Sequence, residues 1–357
     1  MSNLQRSLLK KATLSQLPPV PENSTSTKGD NFIVPTLTKS TRKRDYGQAE
    51  WSSFFDNRRD IVISGDTFRV YESLGKRDKD GEAGPIFVMH HGAGLTSLSF
   101  AVLVKELRKL SDKLSILCFD CRSHGGSLNE SGKELTLNTL SEDLWNVLNT
   151  VYSDIDQAEI LLVGHSLGGT VVTHLAESRK IKKLIGLAVI DVVEGTALEA
   201  LVGMKAYLAT RPTHFPTIEK AIEWNLRSGT IHNLESAKVS VPSLLELVDK
   251  EDPSKGYKWQ INLYDTEKYW EEWFTGLSKR FLNASTAKIL ILAGTDRLDK
   301  ELTIAQMQGK FQLLVLPESG HAIQEDLPDR LALALFEFWK RNDRLILPTK
   351  DSIDLSF

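Results

Sequence analysis

The chain has 357 residues, 41% of them hydrophobic, enough to bury a large core in one or two domains. Its net charge of -3 supplies no basic field of the kind that draws nucleic acid or an anionic membrane surface, and no run approaches the roughly 18 apolar residues of a membrane span. Two cysteines exclude a disulfide scaffold and fit a reducing compartment.

Residues 1–45 are polar, rich in Ser, Thr and Pro, and without periodicity, so they read as a disordered tail. Within it, the run from Lys39 to Arg44 reads first as solvated chain, with a nuclear-import patch or a phosphate clamp as alternatives. Structure is expected from near Trp51. Residues 60–63 and 67–71, separated by Ser64-Gly65-Asp66, predict a hairpin. Residues 85–90 predict a buried strand that ends in His90-His91-Gly92-Ala93-Gly94, and a helix is expected over 97–110. The next strand, 114–120, runs into Asp120-Cys121-Arg122-Ser123-His124-Gly125, a turn read as loop architecture. Cys118 and Cys121 straddle the end of that strand rather than opening a helix, which favours packing over redox or metal chemistry.

Apolar spacing at Leu140, Leu144, Val147, Leu148 and Val151 predicts a helix over 136–152. The organising stretch follows. Ile160 to Val163 is apolar and too short for a helix; it leads directly into Gly164-His165-Ser166-Leu167-Gly168-Gly169 and a helical segment through Ala176. Strand, tight turn and helix are the context in which Gly-x-Ser-x-Gly presents a serine nucleophile above a sheet. A strand is then expected over 184–193, a long helix-rich segment with little strand signal from Glu194 to about 281, strands at 288–292 and 311–316, and a closing helix at 329–341. Strands alternating with helices imply a mostly parallel sheet with helices on both faces. The expected organisation is one α/β-hydrolase catalytic domain over 46–342, with a helical cap inserted at about 194–281 and a short tail over 343–357.

In that fold the acid and the histidine follow the serine in chain order. Of the eight histidines, His214, His232 and His321 lie beyond Ser166 and its helix, and His321 alone stands between the last predicted strand and the closing helix. The acid has two positions. Asp191 ends a nearly uniform apolar run, where an unpaired carboxylate would be costly and an imidazolium partner would offset the cost. Asp296 or Asp299 follows the next strand, the commoner site, in a loop crowded with charge. The residues leave this choice open, with local chemistry leaning to Asp191. Oxyanion donors are expected from the amide of Leu167 and from that of Ala93 or Gly94; His91, Gly92, Gly94 and Glu194 are expected to line the substrate side.

Ten segments together resemble the protein phosphatase methylesterases. They are 43–46, 66–71, 122–125, 164–169, 190–197, 221–224, 233–237, 267–270, 293–300 and 302–311, and they span most of residues 43–330. The resemblance implies a nucleophile at Ser166, an acid at Asp191 and a base at His321. It implies the substrate, a methyl ester on the carboxy-terminal leucine of the type 2A phosphatase catalytic subunit, with no cofactor, no metal and a cytoplasmic location to which nuclear entry is open. Two departures stand out: His90 precedes the His-Gly pair, and Ala93 replaces a glycine common in the family, which stiffens the oxyanion loop. A phosphatase-binding inhibitor acting by stoichiometric capture and a small-ester or lipid hydrolase are the alternatives.

Overall fold

The computed structural model describes residues 45–343 except 78, 80, 82, 131–133 and 295–297. The basic run 39–44, Asp296 and all but the innermost residue of each expected tail lie outside the described residues.

The described chain runs β1 (Asn57–Ile63), β2 (Asp66–Ser73), β3 (Ile86–His90), α1 (Ala101–Leu110), β4 (Ser115–Phe119), α2 (Leu137–Val151), β5 (Ile160–His165), α3 (Leu167–Ser178) and β6 (Leu184–Ile190). An inserted segment follows with α4 (Glu194–Ala209), α5 (Ile218–Ser228), α6 (Leu234–Ser240), β7 (Leu245–Leu247), β8 (Tyr257–Trp259), α7 (Trp270–Phe274) and α8 (Leu277–Asn283). The chain then returns through β9 (Lys288–Leu292), α9 (Lys300–Met307), β10 (Gln312–Val315), α10 (Ile323–Asp326) and α11 (Pro328–Asp343). None of these helices is long and apolar enough to cross a membrane.

Eight strands form one sheet in the order β1-β2-β4-β3-β5-β6-β9-β10. The β1–β2 and β2–β4 pairs are antiparallel and every other pair is parallel. Side chains alternate across a strand, so each central strand feeds two cores. Val88, Leu117 and Leu162 face one helical layer with α2 and α3, while Phe87, Ile116 and Leu161 face the other with α1 and α11. All six residues of β5 are buried. Each of its aliphatic side chains contributes about 1.5–3 kcal/mol, which holds the strand in place against the strained turn at its end.

The hairpin, the alternation and both helical faces match the sequence expectation. The helix expected over 97–110 begins as a short 3-10 turn, Ser97–Phe100, and α2 starts where Thr136 accepts a hydrogen bond from the Thr139 amide at 3.2 Å. The inserted segment differs by containing the β7–β8 pair, whose three-residue strands are too short for a period to register. It carries its own apolar cluster around Phe215, Ile222 and Val241, packed by Trp224 and Trp259. Trp270 and Trp273 instead join the core above the main sheet.

The turn after β4 is loop architecture, as expected. Asp120 accepts the amides of Ser97 (2.8 Å) and Gly126 (2.9 Å). Arg122 forks onto Asp143 at 2.8 and 2.7 Å and reaches Asp66 at 3.0 Å, so its buried charge is balanced by two carboxylates. Cys118 and Cys121 are free thiols inside the core, and burial pushes both well above the ordinary thiol range.

Candidate active site

The carboxy ends of the parallel strands converge on one rim, the edge at which open α/β sheets bind ligands. Ser166 follows β5, Asp191 follows β6, and His321 lies beyond β10 just before α10. Ser166 has φ 52° and ψ -120°, outside the favoured regions of an L-residue, and Asp191 has φ 53°. Such conformations cost on the order of 1–3 kcal/mol each and persist only where their surroundings overdetermine them. Here the Ser166 amide donates to Ile190 O at 2.9 Å, its carbonyl accepts from Gly169 at 2.8 Å, and the Asp191 amide donates to Ile291 O at 2.7 Å.

Asp191 and His321 meet. The carboxylate Oδ2 lies 2.6 Å from His321 Nδ1, and Oδ1 accepts the Ala293 amide at 2.6 Å. Asp191 is buried while half of the His321 side chain is exposed, so the ring is held at Nδ1 from the buried side. Asp299, the rival acid among the described residues, is occupied elsewhere: it accepts the Gly195 amide at 3.0 Å and the Ser278 hydroxyl. It ties the start of α4 to α8.

Four buried histidines organise the loops around Ser166. His165 Nε2–H donates to the His321 carbonyl at 2.9 Å, and the two rings lie 4.7 Å apart between centroids. His91 donates to Gly92 O at 2.9 Å through Nδ1 and accepts the Cys121 amide at 3.0 Å through Nε2. His124 accepts the Gly94 amide at 3.0 Å through Nε2 and donates to Arg122 O at 2.8 Å. His90 donates to His91 O at 2.9 Å. The amide of Gly94 is therefore committed to His124. No hydrogen bond among the described residues uses the amides of Ala93 or Leu167. Gly92 sits where an added Cβ would lie 3.1 Å from Ser166 Cβ and 2.9 Å from His165 Nδ1, so the loop passes hard against the serine.

Two residues expected on the substrate side are engaged internally. His91 is buried with both ring nitrogens satisfied by backbone. Glu194 accepts the amides of Gly276 (2.8 Å) and Ser278 (3.0 Å), capping α8 from the first residue of α4. Asp326 was not anticipated from sequence. Its carboxylate accepts Gly320 N at 2.7 Å, His232 N at 2.7 Å and His232 Nδ1–H at 2.7 Å, so it braces the backbone just before His321 against the inserted segment. Nothing in its local pattern separates it from an ordinary acid at a helix end.

Burial holds these imidazoles neutral: His90 and His124 are pushed down to about 4, and His91 and His165 well below the usual range. An unfolded imidazole titrates near pH 6.5, so stability is complete above that pH. As pH falls from 6.5 toward 4, the unfolded chain takes up protons that the folded chain refuses, and stability is lost. By pH 5.5 the loss for His90 and His124 is about 1 kcal/mol each. Urea unfolding should therefore show a lower midpoint at pH 5.5 than at pH 7.5; equal midpoints would contradict neutral burial.

The Alpha/beta hydrolase family matches over residues 87–334. Among curated proteins, protein phosphatase methylesterase 1 of Gibberella zeae is 47% identical over 324 residues, covering 87% of this chain and 79% of the relative. The chain belongs to the protein phosphatase methylesterase family. The Schizosaccharomyces pombe member of that family is 44% identical and is covered over 88% of its length, against 85% of this chain. The probable member from Caenorhabditis elegans is also 44% identical, over 84% of this chain and 79% of its own. Beyond the methylesterases, the chain shares its fold with E-2-(acetamidomethylene)succinate hydrolase. That structure has a TM-score of 0.65 and 19% identity, with 80% of this chain and 99% of that one covered.

Proposed function

We propose that the chain is a serine carboxylesterase that removes the methyl ester from the carboxy-terminal leucine of the type 2A phosphatase catalytic subunit. The observation that carries this is the 2.6 Å contact of Asp191 with His321 on the rim that presents Ser166, in a member of the methylesterase family. His321 takes the hydroxyl proton of Ser166 as the oxygen attacks the ester carbonyl, and the amides of Ala93 and Leu167 hold the resulting oxyanion. His321 returns the proton to methanol as the C–O bond breaks. Water then attacks the acyl-enzyme by the same route, and Ser166 and a free carboxylate are regenerated. Asp191 holds Nδ1 protonated so that Nε2 is the base.

Methanol is too small to supply binding energy, so recognition falls on the acyl side, the phosphatase tail and body. The segment 194–281 serves as the cap that receives them, with Glu194 joining its two ends and Asp299 holding them to the loop after β9. Its proposed place of work is the cytoplasm, with nuclear entry open. The test is methanol release from carboxymethylated type 2A catalytic subunit. Multiple turnover is expected. Turnover of short esters with no release from the methylated phosphatase would overturn the substrate assignment, and release only equal to the enzyme present would favour capture.

A further inference from the structure

Arg211 lies two residues beyond the end of α4, and its guanidinium is stacked 3.9 Å from the ring centroid of Trp259. The tryptophan is itself fixed. Its Nε1–H donates to Pro212 O at 2.7 Å, and Phe215 and Trp224 pack edge-on against it at 5.2 and 6.0 Å. The guanidinium is thus preorganised as a flat donor fork rather than left on a free stem. It is partly buried, and that burial lowers its hold on the proton. Among the described residues no carboxylate pairs with it and no carbonyl accepts from it. The contrast with Arg122, which has Asp143 and Asp66, is direct.

Arg211 and Trp259 line a recess together with Gly94, Leu95 and Thr96. Its wall continues the loop that presses on Ser166. Gly94 stands two residues from Gly92, at most about 7 Å of chain, and Gly92 is the residue packed on Ser166 Cβ. A peptide in extended form advances about 3.3 Å per residue, so one with its ester at Ser166 brings a side chain to this recess within two to four residues.

We propose that the Arg211–Trp259 recess binds a carboxylate side chain of the substrate peptide, a few residues before the methyl ester. The assignment rests on the esterase reading above. A carboxylate there supplies the partner that this part-buried guanidinium lacks and accepts from its fork in a bidentate pair, which fixes register as well as adding affinity. Register matters because the leaving group offers nothing to grip.

The experiment uses acetylated pentapeptides ending in a leucine methyl ester, with aspartate or asparagine scanned through the preceding positions. At one position kcat/KM for aspartate should exceed that for asparagine by tenfold or more, carried by KM. In Arg211→Gln that ratio should fall to within twofold of one, while Arg211→Lys should keep part of it. The ratio is taken within each variant, so a change in folded fraction cancels. Equal turnover of the two series by the unaltered chain, or an aspartate preference that survives Arg211→Gln, would overturn the proposal. If no peptide ester is hydrolysed, methanol release from the methylated phosphatase decides the esterase reading separately. Calorimetry with the corresponding peptide carboxamides then decides the recess: aspartate-selective binding lost in Arg211→Gln upholds it, and indifferent binding overturns it.

Discussion

Asp191→Asn is expected to lower kcat for ester hydrolysis by about four orders of magnitude, against about six for Ser166→Ala. The reason lies in one proton. Asp191 Oδ2 sits 2.6 Å from His321 Nδ1, where a carboxylate can only accept, so Nδ1 carries the hydrogen and Nε2 is left basic. An asparagine turned to keep the Ala293 amide on its oxygen presents an NH₂ group to Nδ1. The ring then adopts the other tautomer, with its hydrogen on Nε2, and cannot accept the serine proton. The backbone at 191, held by Ile291 O, has no cause to move, so the fold should be retained and the loss should be chemical. Asp299→Asn is the matched control. Its oxygen can still accept from Gly195 and its amide can still bond Ser278, so hydrolysis should change by less than about tenfold. Methanol release measured for the three variants at equal folded concentration tests the set. A smaller loss in Asp191→Asn than in Asp299→Asn would assign the acid elsewhere.

The elbow was legible because three signals coincide over a short stretch: a fully apolar run, glycines flanking a serine, and a helix directly after. His321 was legible from its place between the last strand and the closing helix. For the acid the residues give only a lean to Asp191 over Asp296 or Asp299, because each follows a strand and strand order in the sheet is a tertiary fact. Only the packing shows Asp299 spent on Gly195 and Ser278. Glu194 shows the same limit. Three residues after Asp191 in sequence, it reads as a substrate contact, yet its carboxylate finds two orphan amides at the start of α8, more than eighty residues away. His91 reads in sequence as a lining residue, while the commitment of the Gly94 amide to His124 and of the His321 carbonyl to His165 depends on contacts across loops. Short-range pattern reveals elements and turns. Which polar group satisfies which is settled by long-range contacts.

The second large effect is on folding. At Gly168 an added Cβ would lie 2.0 Å from the carbonyl oxygen of His90 and 2.7 Å from that of His91. Both are backbone atoms at the end of β3, in the centre of the sheet, and neither can rotate aside as a side chain would. Relief requires α3 to move off the sheet or the loop from His90 to Gly94 to move outward, by more than 1 Å for an ordinary carbon–oxygen contact. The first breaks packing made by Val171, Val172 and Leu175; the second separates the two amides proposed to hold the oxyanion. Gly168→Ala should therefore destabilise by about 4 kcal/mol or more, a size reserved for overpacking and similar faults, and any folded fraction should be slow in hydrolysis. Gly203, inside α4, offers the opposite case, because nothing lies within 4 Å of a Cβ there. Gly203→Ala should stabilise by about 0.5–1 kcal/mol through helix propensity. Urea midpoints for the two variants give the comparison. Similar values for both would mean that close approach of α3 to β3, rather than being required by the elbow, is something the chain can relax.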